Sequence, residues 1–98
     1  MYLAKVIGNV VATQKSPALE GAKLLCIQPY ANRDSRLEPA GDSIVAVDSV
    51  GAGVGELVLY TQGSSARLAR GVENAPADAV IVGIVDGVEV EGKTVARP

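Results

Sequence analysis

The sequence contains no histidine, tryptophan or phenylalanine, one cysteine (Cys26), one methionine (Met1) and three aromatic residues, Tyr2, Tyr30 and Tyr60. Each shortage closes off a class of function. Without histidine the chain lacks the usual general base near neutral pH and the commonest metal ligand. A lone cysteine cannot form an internal disulfide and does not supply a thiolate metal cluster. Three tyrosines on a chain of net charge −2 and pI about 5.0 provide neither the stacking platform nor the basic groove that single-stranded nucleic acid requires. No apolar run approaches the length of a membrane span, and Met1–Val11 lacks the basic start, apolar run and cleavage site of a signal peptide. The expectation is a cytosolic chain with no catalytic residue, no cofactor, no metal, and neither nucleic acid nor membrane as a partner.

Apolar material, by contrast, is abundant. The 98 residues suffice for one domain, 1–98, and 48% of them are hydrophobic. A domain of this size hides only about 60–65% of the surface its unfolded chain exposes. Part of the apolar surplus is therefore expected in contacts between subunits.

Strand signals dominate. Val and Ile fill Tyr2–Lys15, with a bend or bulge predicted at Gly8. Further strands are predicted at Ala22–Tyr30, ended by Pro29, and at Ser43–Asp48, Glu56–Gln62 and Ala79–Val90, followed by a turn at Glu91–Lys93 and a short last strand, Thr94–Ala96. Ala31–Asp42 carries five charges and reads as a solvated loop. Gly63–Gly71 reads as one short helix, capped by Ser64 or Ser65 and stopped by Gly71. Short strands with closely spaced turns indicate an all-β chain forming a small antiparallel barrel.

Two glycine patterns imitate phosphate loops. Gly51, Gly53 and Gly55 follow a strand, but a dinucleotide fingerprint needs wider spacing and a helix next, and here a strand comes next. These three glycines are expected to shape a tight strand-to-strand turn at left-handed φ values, Gly53 included. Gly87 to Thr94 fits the P-loop spelling, yet no room remains for a helix, and Glu89 and Glu91 would repel phosphate. Asp48 is expected to accept hydrogen bonds from the amides of the glycine turn. Glu56 is expected to meet a basic side chain across an interface, Arg67 to bind an anion or an acid, and Cys26 to be a small core residue.

Several motifs occur in order: M-Y-L-A-K-V at the start, G-A-K-L-L-C-I-Q-P from Gly21, V-D-S-V-G-A-G-V-G-E-L-V-L from Val47, G-S-S-A-R from Gly63 and P-A-D-A-V-I-V-G-I-V-D from Pro76. Together they resemble the EutN/CcmL family of bacterial microcompartment vertex proteins over nearly the whole chain. Ala4 departs from the glycine common there, and the loop Ala31–Asp42 has its own composition. The resemblance implies a five-stranded OB-like barrel, a homopentamer capping shell vertices beside hexameric and trimeric shell proteins, and no catalysis. It further implies a bacterial cytoplasmic compartment. Gln28-Pro29 and the long loop lean towards a metabolosome over a carboxysome. It places the turn Gly51, Gly53 and Gly55 with Asp48, Glu56 and Arg67 at subunit contacts, and Gly63, Ser64 and Ser65 beside the fivefold opening. The alternative is an OB-type module binding an anionic small molecule or single-stranded nucleic acid, which size in solution would distinguish from a pentamer.

Overall fold

Alternation of inward and outward side chains organises the computed structural model, which describes residues 1–12, 17–19, 21–63 and 78–96. Strand β1 (Tyr2–Val10) buries Ala4 and Val6 completely and leaves Lys5 and Ile7 exposed. Strands β2 (Lys23–Arg33), β3 (Arg36–Pro39), β4 (Ile44–Asp48), β5 (Leu57–Gln62), β6 (Ala79–Val85), β7 (Val88–Val90) and β8 (Lys93–Ala96) follow, with a 3-10 turn at Pro17–Leu19 before β2. The hydrogen-bonded order runs β1-β5-β6-β4-β2, and β2 pairs back to β1, closing a five-stranded barrel. Every pair in the ring is antiparallel except β4 with β6. The closed ring removes free strand edges from the barrel wall.

Ala4, Val6, Leu25, Ile27, Ala46, Ala52, Val58, Tyr60, Ala79 and Ile81 fill the interior. Alanine recurs here because a small barrel leaves little room between facing walls. A second cluster lies outside the parallel pair, where Val47 and Val80 face each other in register. Leu19, Ala22, Leu24 and Val82 cover it, so the 3-10 turn seals that side of the wall.

Several boundaries differ from the expected ones, each for a physical reason. β1 ends at Val10, before Val11 and Ala12, because its partner β2 runs out: Val10 pairs with Leu24 near the start of β2; the rest of the expected strand, residues 13–15, lies outside the described residues. The expected irregularity at Gly8 is present as a register shift between Val6 and Gly8. β2 passes through Pro29 and continues to Arg33. Pro29 sits where the second neighbour of β2 changes from β4, ending at Ile27, to β3, beginning at Tyr30, and its carbonyl accepts the Ala40 amide. The edge that would want its missing N–H is unpaired at that point. Most of Ala31–Asp42 is consequently no loop: residues 31–39 hold the end of β2, a turn and β3 of one hairpin, turned by Asp34 (φ 50°) and Ser35 (φ 62°) in left-handed conformation, and Ala40–Asp42 lie outside the strands. Ala79–Val90 is two strands, because the β5 ladder ends at the Leu57–Val85 pair. β7 and β8 form a ribbon apart from the barrel, turned by Glu91 (φ 52°) and Gly92 (φ 78°). Cys26 lies outside the core: Leu25 and Ile27 point inward, so Cys26 falls on the outer phase, half-buried, opposite Val45 and Gly8. The expected helix Gly63–Gly71 lies outside the described residues save Gly63, and no α-helix occurs among those described.

Candidate assembly site: the loop from Asp48 to Glu56

β4 delivers Asp48 to the mouth of the barrel, and the chain must reverse there to enter β5. Asp48 Oδ1 accepts the amides of Val50 (3.0 Å) and Gly51 (3.1 Å), and Oδ2 accepts that of Ala52 (2.9 Å). Its side chain is 1% exposed. A buried carboxylate is tolerable only when charge-assisted bonds replace its water. Lys23 adds to this: Nζ stands 3.7 Å from Oδ2 and donates to the Ala52 carbonyl at 2.6 Å. Ala52, fully buried, drops its methyl group into the barrel core.

The second half of the loop repeats the device. The Gly53 amide donates to Glu56 Oε1 at 2.6 Å, and the Glu56 amide returns to the Gly53 carbonyl at 3.1 Å. The Gly55 amide donates to the Val6 carbonyl (2.8 Å), while the Val6 amide donates to the Glu56 carbonyl (2.9 Å). These two bonds stitch the loop to β1. Ser49 fastens the other side, its hydroxyl donating to the Ile81 carbonyl at 2.6 Å. Gly51 (φ 80°) and Gly55 (φ 92°) hold the left-handed conformations that side chains resist. Gly53 does not share them, contrary to expectation; an added Cβ would stand 3.4 Å from Glu56 Oε1.

The arrangement decides the phosphate question. The amides of Val50, Gly51, Ala52 and Gly53 already donate to carboxylates of their own chain. An incoming anion would find those donors taken and two negative charges in its place. The large side chains the loop presents to solvent are apolar, Val50 and Val54, both exposed. It is a rigid mount for two valines.

Of the residues singled out in the sequence, Asp48, Gly51, Gly53, Gly55 and Glu56 come together here. Within its own chain Glu56 accepts the Gly53 amide, which the turn leaves in reach. Ser64, Ser65 and Arg67 lie outside the described residues. Gly63 does not: its φ is 64° and its amide donates to the Asp78 carbonyl at 3.0 Å, tying together the two ends that flank residues 64–77. Lys23, Ser49 and Val6 were not singled out. Two of Val6's contributions are backbone groups, which no residue type signals. Tyr60, buried, lies against Tyr2 with ring centroids 5.4 Å apart. Burial pushes the Tyr60 phenol above its ordinary pKa, and the neighbouring Tyr2 adds to this.

Comparison with known proteins agrees in sequence and shape. The family model described as ethanolamine utilisation protein EutN/carboxysome matches residues 1–86. The bacterial microcompartment shell vertex protein GrpN of Rhodospirillum rubrum (strain F11) is 51% identical over 91% of this chain and 97% of its own length. PduN of Salmonella typhimurium, a protein of the same description, is 53% identical over 88% and 96%. The carboxysome shell vertex protein CcmL of Synechocystis is 49% identical over 92% and 87%. The solved pentameric shell protein GrpN from Rhodospirillum rubrum superimposes with a TM-score of 0.80 at 48% identity, covering 92% of this chain and 99% of that one.

Proposed function

This chain belongs to the EutN/carboxysome family, and from that premise we propose that five copies close into a ring capping the vertices of a bacterial microcompartment shell, as a building part and not an enzyme. The observation that carries the reading is the apolar surface an isolated copy leaves in water. Tyr2, Ile7, Val45, Val54 and Ile84 are 41–59% exposed, although the barrel has a filled interior of its own. A ring repeats one heterologous contact by a rotation that divides the circle, and each copy then takes part in two such contacts, each burying a different patch. Native mass spectrometry at micromolar concentration tests this directly. Five copies are expected; a dominant monomer or dimer would overturn the reading and favour a lone OB-type binding module.

Finer assignments rest on the same premise. Asp48 and Glu56, with Gly51, Gly53 and Gly55, shape a loop that meets the neighbouring subunit, and Arg67 lies at the same contact. Gly63, Ser64 and Ser65 stand beside the fivefold opening, which their small polar groups leave open to anions. The bond between Gly63 and Asp78 supports a fixed base for that segment. Around the ring sit hexameric and trimeric shell proteins, in a compartment of the bacterial cytoplasm. The compartment is a metabolosome, a choice supported by PduN and GrpN being slightly more similar to this chain than the carboxysome CcmL. Sulfate soaked into crystals of the ring should appear on the axis beside Ser64 and Ser65; an axis lined by apolar side chains would refute the opening.

A further inference from the structure

We propose that the β7–β8 ribbon is an arm that seats on the next copy in the ring, against the outer barrel face marked by Ile7, Cys26 and Val45. The inference rests on the ring reading above and adds to it a surface and its occupant.

The ribbon cannot easily stand alone. It is a two-stranded sheet of three and four residues, joined along the chain to the barrel through Asp86 and Gly87. Two-stranded ribbons are marginal in water without a surface to pack on. Val88 and Val90, both half-buried, alternate with the exposed Glu89, so β7 turns its two valines to one side of the ribbon, with Lys93 as the cross-strand neighbour of Val90. Among the described residues, β3 is the element of its own chain that approaches the ribbon most, and β3 is itself an appendage paired with β2 alone. Nor does it reach its own barrel face at Ile7 and Val45, both of which stay about half exposed.

That face is suited to receive it. Cys26 on β2 is in register with Val45 on β4 and with Gly8 on β1, next to Ile7, so three adjacent strands contribute one uncharged apolar strip. The wall outside β4 and β6 is already covered by Leu19 and Ala22, and the wall at β1 and β5 carries exposed Lys5 opposite Leu57. Among the described residues, the strip at Ile7, Cys26 and Val45 is an outer face left both apolar and open, bordered by Lys5 opposite Gln28. A ring contact is heterologous and needs two different surfaces on every copy. Arm and strip are two such surfaces, and neither can satisfy the other within one chain as folded. The family model ends at residue 86, before the arm begins, so the ring is expected to form without the arm and to be tightened by it.

The test uses full-length chain throughout. Native mass spectrometry on serial dilution gives the concentration at which the ring falls apart, and circular dichroism reports the barrel. Val88→Asp with Val90→Asp should raise that concentration at least tenfold with the β spectrum unchanged, and Val45→Asp should do the same. Combining all three should add no more than twofold to the larger single effect, because arm and strip lose one shared contact. A ribbon variant that dissociates like the parent overturns the proposal while leaving the ring intact. Effects that multiply also overturn it, since arm and strip would then act at separate places. A parent chain that forms no ring ends both this proposal and the ring reading.

Discussion

Asp48 and Lys23 approach within 3.7 Å, yet the carboxylate is 1% exposed and the lysine side chain 50%. The two partners therefore carry unequal weight. Lys23 is in register with Asp48 across β2 and β4, so the sheet holds them opposite each other whatever the charges contribute. The ammonium keeps its water; the carboxylate has given up nearly all of its own for three backbone amides. Stability should depend on Asp48 far more than on Lys23.

Asp48→Ala leaves three N–H groups without acceptors. An unsatisfied buried donor costs about 1–3 kcal/mol, and water will reach some of these, so a loss of about 3 kcal/mol is expected. In a domain of this size that lowers Tm by more than about 10 °C. Lys23→Ala removes a half-exposed pair and one bond to the Ala52 carbonyl, for about 1 kcal/mol or less. Thermal melts at one protein concentration compare them. Equal effects would show that the pair, and not the amide cradle, holds the loop.

The three glycines of the loop should respond differently. Gly51→Val and Gly55→Val force a β-branched residue to φ of 80° and 92°, costing on the order of 1–3 kcal/mol each. Gly53→Ala meets only Glu56 Oε1 at 3.4 Å and should cost under about 1 kcal/mol. Matching losses at Gly53 and Gly51 in a denaturant melt would contradict the φ assignment.

Ser35 at φ 62° offers a gain. Asp-Gly is the favoured pair for a two-residue hairpin turn with both residues left-handed, and Asp34 already stands first. Ser35→Gly should stabilise by about 0.5 kcal/mol, strain relief exceeding the added freedom of the unfolded chain. A lower urea midpoint would refute it.

Tyr60 predicts an alkaline effect. Its pKa is raised on folding, first by burial and then by Tyr2, so above about pH 10 the unfolded chain releases this proton more readily than the fold does. Stability is thus undiminished by Tyr60 below that pH and falls as pH rises towards the folded pKa. Phenolate absorbance should show a late-titrating phase, and Tyr60→Phe should remove it.

The barrel was legible in the sequence because β-branched runs and turn residues recur at strand spacing, and the Asp48 cradle because Asp before a glycine turn has amides within reach. Cys26 was misplaced for want of phase: an apolar stretch such as Leu24–Ile27 does not announce which alternate residues point inward until Leu25 and Ile27 are seen there. The charges between Arg33 and Glu38 hid a hairpin, since an exposed ribbon can carry charge on its strands as freely as a loop can. Pro29 read as a strand end because its harmlessness depends on a gap between two neighbouring strands, a tertiary fact.

Val54 carries the last prediction. It sits between Gly53 and Gly55 at the tip of the loop, 59% exposed, and it belongs to neither core cluster. The hydrogen bonds on both sides of it hold the loop without help from its side chain. A residue so placed contributes little to the fold of one copy, but on the ring reading it is buried by the neighbour. Burying an aspartate there would leave a charge without a partner, a cost of several kcal/mol at every one of the repeated contacts. Val54→Asp should accordingly leave the circular dichroism spectrum of the barrel unchanged while five copies give way to monomer in native mass spectrometry. Val54→Ile, which keeps the apolar contact, should retain the ring. An intact ring in the aspartate variant would place this loop away from the subunit contact.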